Sequence, residues 1–321
     1  MARRWDVERA SASDGWRLPP VPSSYTHVTF PYLRVPPRLR SALQRMERED
    51  PSPVLDPERE RFLEWIFARA NLDWRAYRSE TLSRRLPACL RMLRADSPRL
   101  AQRRIEERPE LLEGALGSIL VGVTSFFRDA PVFDTIAHEI AAAVRELQRG
   151  LYVWSIGCST GAELYSVALL MARYEGLLER SFLMGTDCRS AAIEQARSGW
   201  FCADDVEPLA PALRERWFVR RGNGWEVADR LRRGLHWRVS DILRAHEAGV
   251  WDIILFRNTS MYMHAEATDS LWERLESTLR PGGILVLGRA ERPVGTRRLI
   301  PVSSCVWRRT VRPSLHFESR R

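Results

Sequence analysis

The sequence predicts a largely parallel α/β sheet covered on both faces, carrying a small antiparallel insert and preceded by an all-helical region. Three observations carry this. Apolar runs of strand-forming residues alternate with amphipathic helical stretches from residue 149 to about 309. One connection, at about 200–234, is too long for an ordinary strand–helix loop. Upstream, 58–148 shows only helical periodicity.

Taken in order, residues 1–57 are rich in Pro, Ser and Arg and are expected to form an extended or disordered arm. From Pro57, the stretch ERERFLEWIFARA predicts a helix with Phe62, Trp65, Ile66 and Arg69 on one side. SETLSRRLPACLRMLRA predicts a second, capped by Ser79 or Thr81 and bent or interrupted at Pro87. Helical patterns return at 100–108, 110–120 and 130–148. The strands then read LYVWSI, SFLMGTD, LHWRVSDI, WDIILFRN and GGILVLG, with RRLIPVSSCVWRRT supplying one or two more. Inside the insert, WFVRRGNGWEVA predicts a hairpin turning at Gly222-Asn223-Gly224. Residues 310–321 are expected to be a loose tail.

The chain has 321 residues and a net charge of +9, and all 50 basic residues are arginine. Lysine-based Schiff-base chemistry and a P-loop lysine are therefore excluded. The arginines are spread along the chain, which argues against a nucleic-acid partner. No apolar run reaches the roughly 18–20 residues of a membrane span. The five cysteines are scattered, without a CxxC, so the expectation is a reducing cytoplasm and no structural metal. The chain is expected to be a monomer.

The first strand and its turn read Trp154-Ser155-Ile156-Gly157-Cys158-Ser159-Thr160-Gly161-Ala162-Glu163. Glycines at 157 and 161 let backbone approach a ligand at the head of the next helix. Asp187 ends the second strand, where a carboxylate accepts from a ribose diol. Asp241 ends the third, where it can take an adenine amino group while Ile242 packs on the ring. The alternative for either acid is a helix cap. Gly157-Cys158-Ser159-Thr160-Gly161 also matches a hydrolase nucleophile elbow around Ser159, but no convincing acid and histidine follow in order.

Further motifs accompany the turn. They are Thr124-Ser125-Phe126-Phe127-Arg128, Thr186-Asp187, Ala196-Arg197-Ser198-Gly199 before Trp200-Phe201, Trp217-Phe218, Phe256-Arg257-Asn258 with Tyr262, Pro281-Gly282-Gly283, and Gly288 with Glu291. Together they resemble the CheR family, the S-adenosylmethionine-dependent methyltransferases that esterify glutamates on chemotaxis receptors. The resemblance spans roughly 58–309 and implies a Rossmann-like class I methyltransferase fold. It also implies S-adenosylmethionine as cofactor and S-adenosylhomocysteine as product. Thr124, Arg128, Gly157, Ser159, Thr160, Gly161, Glu163, Asp187, Asp241, Ile242 and Asn258 are expected around the cofactor. Arg128, Arg257 and Tyr262 are expected at the reacting carboxylate. Arg84, Arg85 and Arg91 match the family's basic helix and are expected to face an acidic helical receptor.

The sequence departs from the family at several places. Ala162-Glu163 replaces an acid pair, Leu164 a proline, Phe256 a cysteine and Asp241 an asparagine. Thr259-Ser260-Met261 and Met263 replace an apolar segment and an aromatic. These changes touch the wall beside the transferred methyl. They leave open a different, smaller acceptor, or a non-catalytic interaction module, as alternatives to receptor glutamates. The short, arginine-bearing insert is expected not to need a tethering peptide on the receptor.

Overall fold

The computed structural model describes residues 55–120, 122–244 and 249–311. Most of the arm expected over 1–57 and of the tail expected over 310–321 lies outside the described residues.

Five helices open the described chain: α1 (Pro57–Arg69), α2 (Ser79–Met92), α3 (Pro98–Glu107), α4 (Leu111–Ile119) and α5 (Ala130–Leu147). Helix α1 starts where the Asp56 side chain accepts from the backbone N–H of Glu58 and Arg59, with Pro57 in the first turn. It buries Phe62, Leu63, Ile66 and Phe67. The buried stripe is thus rotated from the expected one: Trp65 sits on the flank, with the Arg69 guanidinium 4.3 Å from its ring centroid. Helix α2 also differs from expectation. It has Arg78 at its N-cap with no side-chain capping bond, and it runs continuously through Pro87. A missing N–H and a ring clash in a helix interior cost about 3 kcal/mol. Burial of Leu82, Leu86 and Cys89 on the same helix offsets this.

The strands are β1 (Tyr152–Ile156), β2 (Phe182–Asp187), β3 (Trp200–Cys202), β4 (Phe218–Arg221), β5 (Gly224–Val227), β6 (Leu235–Val239), β7 (Trp251–Phe256), β8 (Leu279–Leu287), β9 (Leu299–Pro301) and β10 (Val306–Arg309). Seven form one sheet in the order β6-β2-β1-β7-β8-β10-β9. The first five in that order are parallel, while β10 is antiparallel to β8 and to β9. Strand β8 begins earlier than its sequence pattern suggests. Pro281 and Gly282 lie within it, and pairing with β7 shifts register between Trp251 and Ile253, which takes up the extra residues.

The insert is a three-stranded antiparallel sheet in the order β3-β5-β4. Arg221 pairs with Gly224, so Gly222 and Asn223 make a two-residue turn, and Gly222 has φ +58°.

The sheet is buried on both faces, as its continuous apolar strands require. Trp154, Ile156, Met184, Ile254 and Phe256 face a core shared with α1–α4 and with the helix Ala265–Thr278. Val153, Leu183, Ile253, Leu255 and Val286 face the other core, shared with α5, α6 (Ala162–Met171) and the insert. This is a helical region followed by a Rossmann-like class I methyltransferase sheet with a small antiparallel insert. Among the described residues no helix is long and apolar enough to cross a membrane.

A backbone zipper positions the helical region over the strand ends. The N–H of Arg78 donates to the Tyr262 carbonyl and that of His264 to the Ala76 carbonyl, each at 2.9 Å. Tyr77 and Met263 face each other across this bridge, and Arg78 Nε donates to the Met263 carbonyl at 3.0 Å.

Candidate active site

Strand order reverses beside β1: the chain crosses from β1 outward through β2 to β6, then returns to β7 on the opposite side. The crevice at the C-terminal ends of such strands is where open α/β sheets bind ligands. A cleft is present there. It is lined by Gly157, Asp187, Asp241, Ile242 and Tyr262 from the sheet side and by Tyr77, Thr81, Ile119 and Leu120 from the helical side.

The turn after β1 is built for close approach. Gly157 and Gly161 have φ of +64° and +87°. A Cβ would lie 2.7 Å from Thr259 Oγ1 at the first and 2.6 Å from the Trp237 ring at the second. Non-glycine residues with positive φ gather here too: Phe127, Asp129, Ser159 and Asn258. Such conformations cost of order 1–3 kcal/mol each and persist where surrounding contacts enforce them. Ser159 shows the enforcement. Its N–H donates to Asp187 Oδ2 at 2.9 Å and its hydroxyl to the Gly122 carbonyl at 2.7 Å. A buried hydroxyl committed to a backbone carbonyl does not serve as the nucleophile of an elbow. Thr160 lies half-buried in the same turn.

Asp187 and Asp241 both line the cleft. Burial pushes the Asp241 carboxyl above the usual carboxylate range, against the N–H of Leu243 that bonds it at 3.0 Å. Ile242 is buried beside it. Asp187 is 5% exposed and bonded on both oxygens, to Ser159 N–H and to Arg189.

Glu163 and Arg257 meet below the turn. Arg257 Nη1 donates to Glu163 Oε2 at 3.0 Å, and Ser155 Oγ donates to Oε1 at 2.9 Å. Arg257 Nη2 donates to Asp129 Oδ2 at 2.8 Å and to the Arg128 carbonyl at 2.9 Å. The Arg257 side chain is 1% exposed, with the Phe133 ring centroid 5.5 Å from its guanidinium. It therefore ties β7 to the heads of α5 and α6 through Nη1 and Nη2, while Nε is buried without a protein partner. Arg128 is half-buried and donates to the Val123 carbonyl at 2.8 Å, and Thr124 is half-buried beside it.

Tyr262 closes a 3₁₀ turn, Ser260–Tyr262, and lines the cleft. Sequence reasoning saw Glu291 only as part of a motif. The structure shows what it holds. One oxygen accepts from the N–H of Thr259 and Ser260 at 2.8 Å and the hydroxyl of Ser260 at 2.9 Å. The other accepts from the N–H of Asn258 at 2.8 Å and Gly288 at 2.7 Å. This buried carboxylate sets the turn that carries Tyr262. The spacing of Gly288 to Glu291 was the available signal, and only folding brings it onto 258–261.

Of the basic helix, Arg84 and Arg91 are exposed and Arg85 is half-buried. Burial lowers the Arg85 pKa from its ordinary value, while Tyr262 is close enough to raise it electrostatically. Arg85 Nε is buried without a protein partner. The basic helix reaches the cleft through Thr81 and Leu82.

Residues 122–308 match the family model of the CheR methyltransferase SAM-binding domain. The chain belongs to the CheR methyltransferase family. It is 30% identical to a chemotaxis protein methyltransferase of Listeria monocytogenes over 182 residues, 56% of this chain and 69% of that one. It is 28% identical to one from Klebsiella aerogenes over 263 residues, 78% of this chain and 88% of that one. As a CheR-family SAM-binding domain, the cleft takes S-adenosylmethionine. Its chemistry fits that group. The glycine turn leaves room only where Cβ atoms are missing, Ile119, Leu120 and Ile242 offer an apolar wall, and carboxylates end β2 and precede Ile242. Glu163 still has acceptor positions open after Ser155 and Arg257 are counted, as an ammonium needs.

Proposed function

We propose that this S-adenosylmethionine-dependent methyltransferase forms methyl esters on glutamates of an acidic, helical, receptor-like protein, acting as a monomer. The observation that carries this is the chemistry of the cleft mouth. Tyr262 lines it together with Thr81 and Leu82 of α2, and the exposed Arg84 and Arg91 extend a positive surface along that helix. Among the described residues no histidine lines the cleft. Burial raises the Tyr77 phenol well above its usual range, so it stays neutral. A nucleophile that must lose a proton would find little help here. A glutamate titrates near about 4.3 and arrives already ionised.

When bound, S-adenosylmethionine supplies an electrophilic methyl on a sulfonium. The chain's own residues do the rest. Asp187, Asp241 and Ile242 hold the nucleoside end, and Glu163 holds the amino group. Tyr262 orients the acceptor oxygen by donating its hydroxyl, and the exposed Arg84 and Arg91 draw the acidic partner toward the cleft. The walls exclude water from the nucleophile. Alignment of this kind is worth about 7–11 kcal/mol in ideal cases. Contacts to the acceptor must orient it without over-stabilising its ground state.

The insert is proposed to act without a receptor tether. Its outer strand β4 is four residues long and exposes Val219, Arg220 and Arg221, which makes a short, charged edge.

The test is to incubate the purified chain with methyl-labelled cofactor and lysate of its own host. Base-labile label on a receptor-like protein band supports the proposal. Label only in small molecules transfers the activity to a different acceptor, the reading that the altered Thr259–Met263 segment leaves open.

A further inference from the structure

The contact between Arg189 and Asp187 has no place in the chemistry described above. Asp187 accepts four hydrogen bonds. Oδ2 receives Ser159 N–H at 2.9 Å and Arg189 Nη2 at 3.1 Å, and Oδ1 receives Arg189 N–H at 3.0 Å and Arg189 Nε at 2.9 Å. A carboxylate offers about four lone-pair positions, so this one is saturated. Two of the four donors are backbone groups, that of Ser159 in the turn after β1 and that of Arg189 at the head of the helix after β2 (Ser190–Ser198). The other two are a side-chain fork, one prong on each oxygen.

A vicinal diol makes the same pattern, with one hydroxyl on each carboxylate oxygen. We propose that Arg189 sets the cofactor affinity of this enzyme by occupying on Asp187 the two acceptor positions that the ribose diol needs, so that the fork must leave when the cofactor enters. The inference rests on the cofactor assignment of this cleft.

The surroundings suit a seated competitor. The Arg189 side chain is 13% exposed and lines the cleft. Its guanidinium lies flat against Gly122, where an added Cβ would sit 2.0 Å from Nη2. Nη1 reaches the Leu120 carbonyl at 3.4 Å. The guanidinium therefore also sits against Leu120 and Gly122, beside the cleft. Bidentate arginine–carboxylate pairs are among the stronger polar contacts, so displacing one has a measurable effect on binding.

The experiment is calorimetry on wild type and Arg189→Met, which keeps the aliphatic stem and removes the fork. The probes are S-adenosylhomocysteine, adenosine and 2′,3′-dideoxyadenosine. The expected result is at least tenfold tighter S-adenosylhomocysteine binding by the variant, with its preference for adenosine over the dideoxy nucleoside increased. Unchanged or weaker binding overturns the proposal. Equal tightening for both nucleosides also overturns it, because the fork would then be a general obstruction. If wild type and variant both fail to bind S-adenosylhomocysteine, the cofactor assignment falls, and the proposal with it. Should Arg189→Met not fold, a crystal structure of wild type with S-adenosylhomocysteine decides. A fork still on both Asp187 oxygens overturns the proposal, and a fork displaced from them supports it.

Discussion

Arg257 and Glu163, 94 residues apart in the chain, form a 3.0 Å ion pair beneath the cofactor turn, with Arg257 also bonded to Asp129. The pair joins the end of β7 to the first turn of α6. Removing one partner of a buried pair leaves an uncompensated charge and costs about 3–5 kcal/mol. Asp129 is partly exposed and also meets Arg289 at 3.2 Å, so the lower end applies. Arg257→Ala is expected to lower stability by about 3 kcal/mol, read by urea denaturation. A variant as stable as wild type would return Arg257 to a role at the substrate.

Glu291→Gln puts an amide where backbone N–H groups converge. Hydrogen bonds to a charged group are worth about 1.5–3 kcal/mol each, and several weaken together. A lowered melting temperature is expected, with a turnover loss larger than the loss in cofactor affinity, because the turn carrying Tyr262 loosens. Parallel calorimetry and label-transfer rates separate the two.

Tyr262→Phe removes one hydroxyl at the cleft mouth and leaves the ring. Cofactor affinity is expected to hold within about twofold while turnover falls at least tenfold, the equivalent of about 1.4 kcal/mol. Normal methylation by this variant would remove Tyr262 from the reacting centre.

Asp134 supplies a pH test. Burial raises its carboxyl to about 6, partly countered by His138, and Oδ1 is buried without a partner. A raised folded-state pKa means the native protein binds more protons than the unfolded chain between the two values. Stability contributed by this group is therefore greatest in acid and falls as pH rises from about 4 to about 6. Asp134→Asn is expected to stabilise the protein at pH 7 by about 1 kcal/mol, after discounting for solvent screening, and to lose that advantage below about pH 4. Melting temperatures across that range check the sign.

Reversing the charge of the exposed Arg84 and Arg91 is expected to slow association with an acidic receptor fragment several-fold at low salt. Added salt should mimic the effect on wild type. Stopped-flow rates that share one salt dependence would mark these arginines as merely solvated.

Local pattern was enough to read most of the fold. Strands and helices of 151–309 declare themselves by period, the β4–β5 turn by Gly222-Asn223, and the cofactor turn by Gly157 and Gly161, because these features depend on neighbours within a few residues. Helix α2 was legible as a helix, but its continuity through Pro87 was not, because Pro87 is tolerated there through tertiary burial of Leu82, Leu86 and Cys89. Asp187 at the end of β2 and Asp241, two residues beyond β6 rather than ending it, could be brought to the cleft from sequence, since parallel strands bring those ends to one edge, whereas Tyr262 was expected only from the family motif. The partners of charged groups could not be. Arg257 settling on Glu163 and Asp129, Glu291 reaching back to 258–261, and Arg189 folding onto Asp187 are choices among many arginines and carboxylates. A charge is compatible with any opposite charge in sequence, and only distance and burial in the folded chain select which pair forms.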